Sequence, residues 1–456
     1  MPLHIHTYKV QQLIVTTLFT FLLLTACKKP VHDVAGVDPG ESYTIKSNSS
    51  SSHLNADVAT AWYKLHVRMM LYANPATNNA LNANAFAYFG IGLYESVRSG
   101  IKNSASLSQS LYLMPEMPQK DNNGYDLQVS ANAVLASLTR SFFSWLTNEN
   151  KASVDSLENA YNEKFSVSME SAKFKRSQEY GRAVATAIYN WAKTDNLNVS
   201  NAGYVPPTSP PGVWIPTPPS FGSPVLPFVS NARPLLIQHG SGVTPPLPFA
   251  YSEDPSSEFY KMVRDVYDVS KVLTHEDSAM ALYWNDVGVG LGYTPIGHIM
   301  NILTQAIDQN NIDLGNAAQA YAKAGIAIRD AFLVLFRSKY LYNVIRPVSY
   351  IRKLWQANWL PVIPTPLHPE YPSAHAFITS ASMRAASAVL GNISVVDHSY
   401  DFRGYSARSY ETLDKAGDEA GFSRRFAGIH YMPSIITGLA EGRKVGDRVG
   451  SIKLTE

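Results

Sequence analysis

The chain has 456 residues, enough to bury a large core in one domain or in several smaller ones. Its 38 basic residues nearly balance 36 acidic ones, so the formal net charge of +2 gives no general attraction to nucleic acid. With 16% charged and 45% hydrophobic residues the composition excludes an extended disordered chain and suits a folded protein outside the cytoplasm.

At the N-terminus, Lys9 precedes an apolar run from Leu13 to Leu24 that closes on Leu24-Thr25-Ala26-Cys27. The run is too short for a comfortable transmembrane helix. It resembles a bacterial lipoprotein signal: residues 1–26 would be a cleaved leader and Cys27 would carry a lipid. That resemblance implies an exported lipoprotein on the periplasmic face or at the outer membrane. Cys27 is the only cysteine in the chain, so no intramolecular disulfide is possible and the core alone must hold the exported fold. Residues 27–55 are polar, contain a serine cluster and read as a tether.

From residue 56 onward the periodicity is helical. Apolar and small residues recur at helical intervals from Ala56 to Ser99, from Val129 to Trp145 and from Ser177 to Trp191. Frequent Ala, Leu, Met, Lys and Glu favour the same state by propensity. Residues 206–248 differ, because they hold nearly half of the chain's 28 prolines. Proline lacks a backbone donor and restricts its predecessor, which excludes helix through most of this stretch. Trp214, Phe221, Phe228 and Phe249 offer apolar anchors, so an ordered excursion over the helical body is expected rather than a flexible linker. Helical patterns resume over Glu258–Val269, Asp277–Trp284, His298–Ile307, Ala317–Lys339 and Ala374–Leu390, and again near Met432. No βαβ alternation, glycine-rich phosphate loop or cysteine metal knuckle occurs. The expected fold is all-α, one helical domain over residues 56–456 with long ordered loops.

Three blocks carry the chemistry: KYLYNVIRP at 339–347, PSAH at 372–375 and SRRFAGIH at 423–430. Together they supply one lysine, two arginines, a serine and two histidines that suit a tetrahedral or trigonal-bipyramidal oxyanion such as phosphate or vanadate. Lys339 and Arg346 are about two helical turns apart, which predicts one shared helix face if the helix runs on until Pro347. Arg346 offers a planar fork and Lys339 a compact charge. Ser373 reads as a helix start whose backbone N–H groups, including that of Ala374, point at an anion. His430 falls just before a helix that opens on Met432-Pro433.

This arrangement resembles the vanadium-dependent haloperoxidase and type-2 phosphatidic acid phosphatase superfamily. The superfamily pattern is Lys, six residues, Arg-Pro; then Pro-Ser-Gly-His; then Ser-Arg, five residues, His, three residues, Asp. The chain matches with Lys339, Arg346-Pro347, Pro372-Ser373, His375, Ser423-Arg424 and His430. Ala374 replaces the usual glycine, and Ser434 replaces the final Asp. The segment ALYWNDVGVGLGYTPIGH, with Trp284, Asp286 and His298, is similar to the long haloperoxidase-like branch. So are GVWIPTPP around Trp214 and AYFGIGLYESV nearer the N-terminus. The likeness is clearest over residues 277–446.

In the haloperoxidase reading the resemblance implies a vanadate cofactor held by Lys339, Arg346, Ser373, the Ala374 N–H and Arg424. His430 would be the vanadium ligand, and hydrogen peroxide and halide the substrates. Lys339 would polarise the bound peroxide. His375, oriented by Asp286, would manage protons. His368, five residues before Ser373, matches a position held by histidine in bromide-oxidising relatives, which favours bromide or iodide. The alternative is a phosphatase acting on phosphate monoesters without vanadate: His430 attacks phosphorus and His375 protonates the leaving alcohol. Ser434 in place of Asp deprives His430 of an expected carboxylate, leaving a backbone carbonyl or Ser434 itself to set its tautomer, and this tilts the choice toward oxidation. A noncatalytic anion-binding protein is the third class. No motif fixes an oligomeric state.

Overall fold

In the computed structural model the described residues are 54–454, except 72–78, 121–122, 145, 248 and 289. The leader, Cys27 and the tether up to residue 53 lie outside them. Leu54 and Asn55 already belong to the fold: Leu54 accepts from the Leu314 N–H at 2.8 Å, and Asn55 bridges to Asp313. Thirteen α-helices are described: α1 (Asp57–Leu71), α2 (Asn79–Val97), α3 (Leu127–Phe142), α4 (Asn148–Ser166), α5 (Ser171–Ala192), α6 (Glu258–Val269), α7 (His275–Tyr283), α8 (Thr294–Gln309), α9 (Leu314–Tyr342), α10 (Pro347–Leu354), α11 (Ala374–Leu390), α12 (Leu413–Phe426) and α13 (Met432–Gly450). Two short antiparallel strands, β1 (Val395–Asp397) and β2 (Arg408–Tyr410), pair Val395 with Tyr410 and Asp397 with Arg408. The all-α expectation holds. No helix among the described residues is long and apolar enough to cross a membrane.

One continuous buried cluster runs from Ala56 to Leu454, with α9 through its centre. This helix starts at Asp313, whose carboxylate caps the Asn316 N–H, and its Leu, Ile, Phe and Ala side chains are buried on nearly every face. Each large aliphatic or aromatic side chain so buried contributes about 1.5–3 kcal/mol. Helix α2 crosses α9 at a mutual small-residue contact: a Cβ on Gly90 would lie 2.4 Å from the Tyr321 carbonyl oxygen, and one on Gly325 would lie 2.7 Å from that of Phe86. Helix α11 packs against α9, α12 and α13.

The end of α9 corrects the expectation of one helix face. The helix stops at Tyr342 because Asn343 turns left-handed (φ 47°) and donates its N–H to the Lys339 carbonyl. Arg346 is extended and caps α10, with Pro347 opening that helix where its missing N–H is harmless. Lys339 and Arg346 therefore converge from two helices across a turn. Helices α4, α10 and α12 and the small hairpin were not anticipated.

The proline-rich excursion is ordered. Trp214 is fully buried, its N–H donates to the Asn343 carbonyl at 2.6 Å, and the Ile345 N–H donates to Gly212. Val225 bonds to Leu367 in the same manner. Phe228 and Phe249 are partly buried, whereas Phe221 is 61% exposed and anchors nothing. The excursion thus braces the two loops that carry Arg346 and His368.

Gly442 of α13 sits where a Cβ would lie 2.2 Å from the Phe377 carbonyl oxygen of α11. That contact sets the α11–α13 distance, and with it the separation of Ser373 and His430 at the starts of these two helices. Gly442→Ala should gain at most about 1 kcal/mol in helix propensity but lose about 1–3 kcal/mol to forced backbone separation. Chemical denaturation should show net destabilisation; a stabilised variant would contradict the close-packing account.

Candidate active site

Lys339, Arg346 and Arg424 are all buried, and each sits on a different helix or helix end. Burial in low dielectric disfavours such charges, so their hydrogen bonds decide whether the site can exist. The Lys339 Nζ donates all three protons to backbone carbonyls, those of Pro369 (2.9 Å), Glu370 (2.9 Å) and Pro372 (2.6 Å). Burial and then the neighbouring Arg346 pull its pKa well below the usual lysine range, partly offset by Glu370. This differs from a freely pointing ammonium: Lys339 clamps the 369–372 loop and supplies charge, and it reaches an anion directly only by releasing a carbonyl.

The Arg346 Nε donates to the His368 carbonyl at 2.9 Å and Nη1 donates to that of Ile429 at 2.9 Å. Its Nη1 also lies 3.2 Å from the His430 Nε2, and Nη2 lies 3.0 Å from the His368 Nδ1. Arginine only donates, so the His430 Nε2 faces it with a lone pair, whereas the His368 Nδ1 lies between that donor and the Pro369 carbonyl at 3.1 Å. Burial, then like charges nearby, keeps both imidazoles neutral. Around His430 those charges are Arg346, Lys339 and Arg424, which places all three cations about one ring.

The His430 Nδ1 therefore carries the proton and donates it to the Glu370 Oε1 at 2.7 Å, an oxygen that also accepts the Tyr431 N–H at 3.0 Å. This corrects the expectation drawn from Ser434. The carboxylate missing at 434 is supplied from 370, sixty residues before the histidine in sequence, and neither a backbone carbonyl nor Ser434 is needed to fix the tautomer. Burial pushes Glu370 up to about 7 against the pull of Arg346 and Lys339. The Ser434 carbonyl instead accepts the Ser373 N–H at 3.2 Å.

Ser373 precedes α11, as the sequence suggested, but its hydroxyl makes no cap. It is wholly buried without a hydrogen-bond partner, and so is the Arg424 Nε; Arg424 spends Nη1 on the Trp284 carbonyl at 2.7 Å. Burial lowers Arg346 and Arg424 to about 10, so both remain cations at neutral pH. The cluster thus combines three cations with one carboxylate, two orphaned buried donors, and a neutral imidazole. Ala374 opens α11 beside them. Among the described residues no group of three or more His, Cys, Asp or Glu is arranged to hold a bare cation. The chemistry is that of an oxyanion site with one nitrogen donor.

His375 lies one turn of chain away, its side chain 13% exposed, and its Nε2 donates to the Asp286 Oδ2 at 2.8 Å. Burial and then Arg424 push this imidazole down to about 4, despite Asp286, so Nδ1 is a free base at neutral pH. Asp286 is completely enclosed. Its Oδ1 accepts from the His298 Nδ1 (2.8 Å) and the Tyr400 hydroxyl (2.7 Å). Glu370, His298, Tyr400 and Asp397 are the residues of this constellation to which the sequence blocks assigned no role. His298 stood in the haloperoxidase-like segment, but nothing in its spacing showed what it touches.

If Glu370 sets the tautomer of His430, Glu370→Ala should weaken vanadate binding about 10- to 100-fold, the usual cost of losing such a supporting carboxylate. Glu370→Gln retains an acceptor and should cost less. Calorimetric titration of vanadate distinguishes them; equal affinity in wild type and Glu370→Ala would remove Glu370 from this role.

Solved structures of bacterial enzymes share this architecture. A bacterial vanadium-dependent iodoperoxidase matches at 28% identity and a TM-score of 0.79, over 91% of this chain and 99% of that one. The apo form of a bacterial vanadium-dependent chloroperoxidase matches at 16% identity and a TM-score of 0.61, over 81% of this chain and 91% of its own. A holo form of such a chloroperoxidase matches at 15% identity and 0.60, over 89% and 93%. These two bear on the fold alone. A family model described as the VCPO second helical-bundle domain matches residues 319–453, the stretch that holds Lys339, Arg346, Ser373, His375, Arg424 and His430. No curated protein matches the chain. Fold, coverage and the three blocks agree: the chain has the architecture of the bacterial vanadium-dependent haloperoxidases, and its residues 319–453 match the VCPO second helical-bundle domain.

Proposed function

We propose that the chain is a vanadium-dependent haloperoxidase that oxidises halide with hydrogen peroxide, bromide or iodide in preference to chloride. The observation that carries this reading is the state of His430: a neutral imidazole, its Nδ1–H fixed by Glu370, its Nε2 lone pair facing buried cations. That is the form a metal ligand requires. His430 would hold vanadate at vanadium, and Arg346, Arg424, Ser373 and the Ala374 N–H would hold its oxygens. Vanadate, when bound, supplies a Lewis acid that activates peroxide toward halide without changing oxidation state.

The remaining chemistry belongs to this chain's side chains. His375, neutral at about pH 7 by burial and Arg424, takes a proton from peroxide at Nδ1 while Asp286 holds Nε2–H. Arg346 and Arg424 offset the negative charge of the oxyanion, and because they are already fixed by carbonyls they need little reorganisation. Lys339 keeps the 369–372 loop, and so Ser373, in register, and adds to the positive potential. His368, neutral and facing Arg346, is the residue we associate with the halide preference.

A phosphatase remains the alternative reading, and Glu370 removes the argument against it that Ser434 had offered. The protonation of His375 favours oxidation instead. A phosphatase needs this residue to begin as the acid that protonates the leaving alcohol, whereas here it begins as a base.

Vanadate-reconstituted protein supplied with peroxide should oxidise iodide and bromide faster than chloride, and removing vanadate should abolish the reaction. Rapid hydrolysis of a phosphate monoester by the vanadate-free protein, inhibited by vanadate and without halide oxidation, would overturn this reading.

We further propose that the protein is exported and tethered to a membrane through lipid on Cys27, on the strength of the Leu24–Cys27 sequence after the apolar run. Cys27→Ala should abolish incorporation of labelled lipid in the producing cell; label retained by the variant would contradict the anchor.

A further inference from the structure

His298 occupies an unusual position for a histidine. It is completely buried, and both ring nitrogens face carboxylates: Nδ1 lies 2.8 Å from the Asp286 Oδ1 and Nε2 lies 2.9 Å from the Asp397 Oδ2. A neutral imidazole has one N–H and one lone pair, so it could satisfy only one of these oxygens and would repel the other. The carboxylates are themselves acceptors. The Asp397 Oδ1 takes the Ser399 N–H at 2.9 Å and the Gln305 amide at 2.9 Å, and the Asp286 Oδ1 also takes the Tyr400 hydroxyl. With both enclosed carboxylates ionised, the ring between them must be the imidazolium.

The surroundings support that charge state. The Trp284 and Tyr400 rings pack on His298 at centroid distances of 4.5 and 4.9 Å, with Tyr283 at 5.7 Å. The Tyr283 hydroxyl donates to the Asp397 carbonyl. Burial alone would lower His298, but Asp286 and Asp397 outweigh it and lift the group to about 10. Burial raises Asp286, yet His298 and then His375 hold it below the usual carboxylate range. Arg424 and His375 face Asp286 from α12 and α11, and Arg403 covers the Tyr400 ring.

We propose that His298 is a positioning residue: locked as an imidazolium between Asp286 and Asp397, it keeps Asp286 ionised and aimed so that Asp286 holds the proton-transferring His375. The inference rests on the oxidative reading of the site. Asp286 must stay a carboxylate through each cycle in which His375 gains and loses a proton. His298 secures this because its positive charge lies between two negative ones that otherwise could not both ionise in an enclosed site. Tyr400 fixes the same oxygen from another side, so rotation of Asp286 would break two bonds.

The test has one readout independent of turnover. In vanadate-free protein labelled with nitrogen-15 at histidine, the ring signals lost in His298→Gln should show two protonated nitrogens from about pH 6 to about pH 9. A ring with one bare nitrogen at neutral pH overturns the proposal. In the vanadate-loaded enzyme, His298→Gln should lower kcat about 10- to 100-fold with little change in KM for peroxide or halide. It should also move the acid limb of the kcat profile to higher pH by about one unit or more, because Asp286 and Asp397 then compete for a proton. His298→Gln/Asp397→Asn leaves a single carboxylate and should return the limb toward wild type, a rescue that a merely structural residue would not show; an unmoved limb in His298→Gln, or no return in the double variant, overturns the proposal. If His298→Gln does not fold, Asp397→Asn alone should bring the His298 titration below about pH 9, and an unchanged titration counts against the inference. If wild type oxidises no halide, the oxidative reading fails, and the nitrogen spectra alone still decide the charge state of His298.

Discussion

Glu370 ties together two stretches of chain that must meet for this site to exist. Its backbone N–H donates to Val344, its carbonyl accepts from Lys339, and its carboxylate accepts from His430 and from the Tyr431 N–H. One residue thus touches the block that carries the lysine and first arginine and the block that carries His430. It is also the carboxylate that faces two of the buried cations, Arg346 and Lys339, where breaking a buried charge pair typically costs about 3–5 kcal/mol. The clustering of Lys339, Arg346 and Arg424 is tolerable because backbone carbonyls accept from each of them, from Lys339 three times, and Glu370 offsets part of the charge of Lys339 and Arg346. The uncompensated remainder is what makes the site receptive to an oxyanion.

In the proposed function the two histidines take different tasks, set by what holds one nitrogen of each. His430 gives Nδ1–H to a carboxylate and keeps Nε2 as a donor of electrons. His375 gives Nε2–H to Asp286 and keeps Nδ1 as a base. Behind Asp286 stands a further buried ion cluster, His298 with Asp397, whereas the Glu370 carboxylate meets the Tyr431 N–H and the Ser434 side chain besides His430. A ligand needs a fixed tautomer, whereas a proton carrier needs a partner whose own charge does not change, and the two environments differ accordingly.

Much of this was legible in the sequence where the physics is local. Helices α6 and α11 begin and end where periodicity and Ser373 put them, and α13 begins where Met432-Pro433 puts it. The three blocks met because each places a cation or histidine at a helix end. Helix α4 escaped notice although Val154, Leu157, Tyr161 and Phe165 follow its buried face and Thr147 caps it, because its other positions are polar. Helix α9 ends before Pro347 because Asn343, a residue that tolerates a left-handed turn, caps it four residues earlier. Glu370, Asp397 and Tyr400 were invisible for another reason. Their roles arise from side chains that approach one another across 60 to 114 positions, and spacing along the chain carries no trace of such contacts.

The account stands on His430 offering its Nε2 to vanadium while Glu370 holds the other nitrogen. Vanadium NMR of vanadate titrated into wild type and into His430→Ala tests it most directly. Wild type should give a protein-bound resonance distinct from free vanadate, and His430→Ala, still helical by circular dichroism, should lose or markedly shift it. The same bound resonance at the same vanadate concentration in both proteins would contradict the assignment of His430 as the ligand.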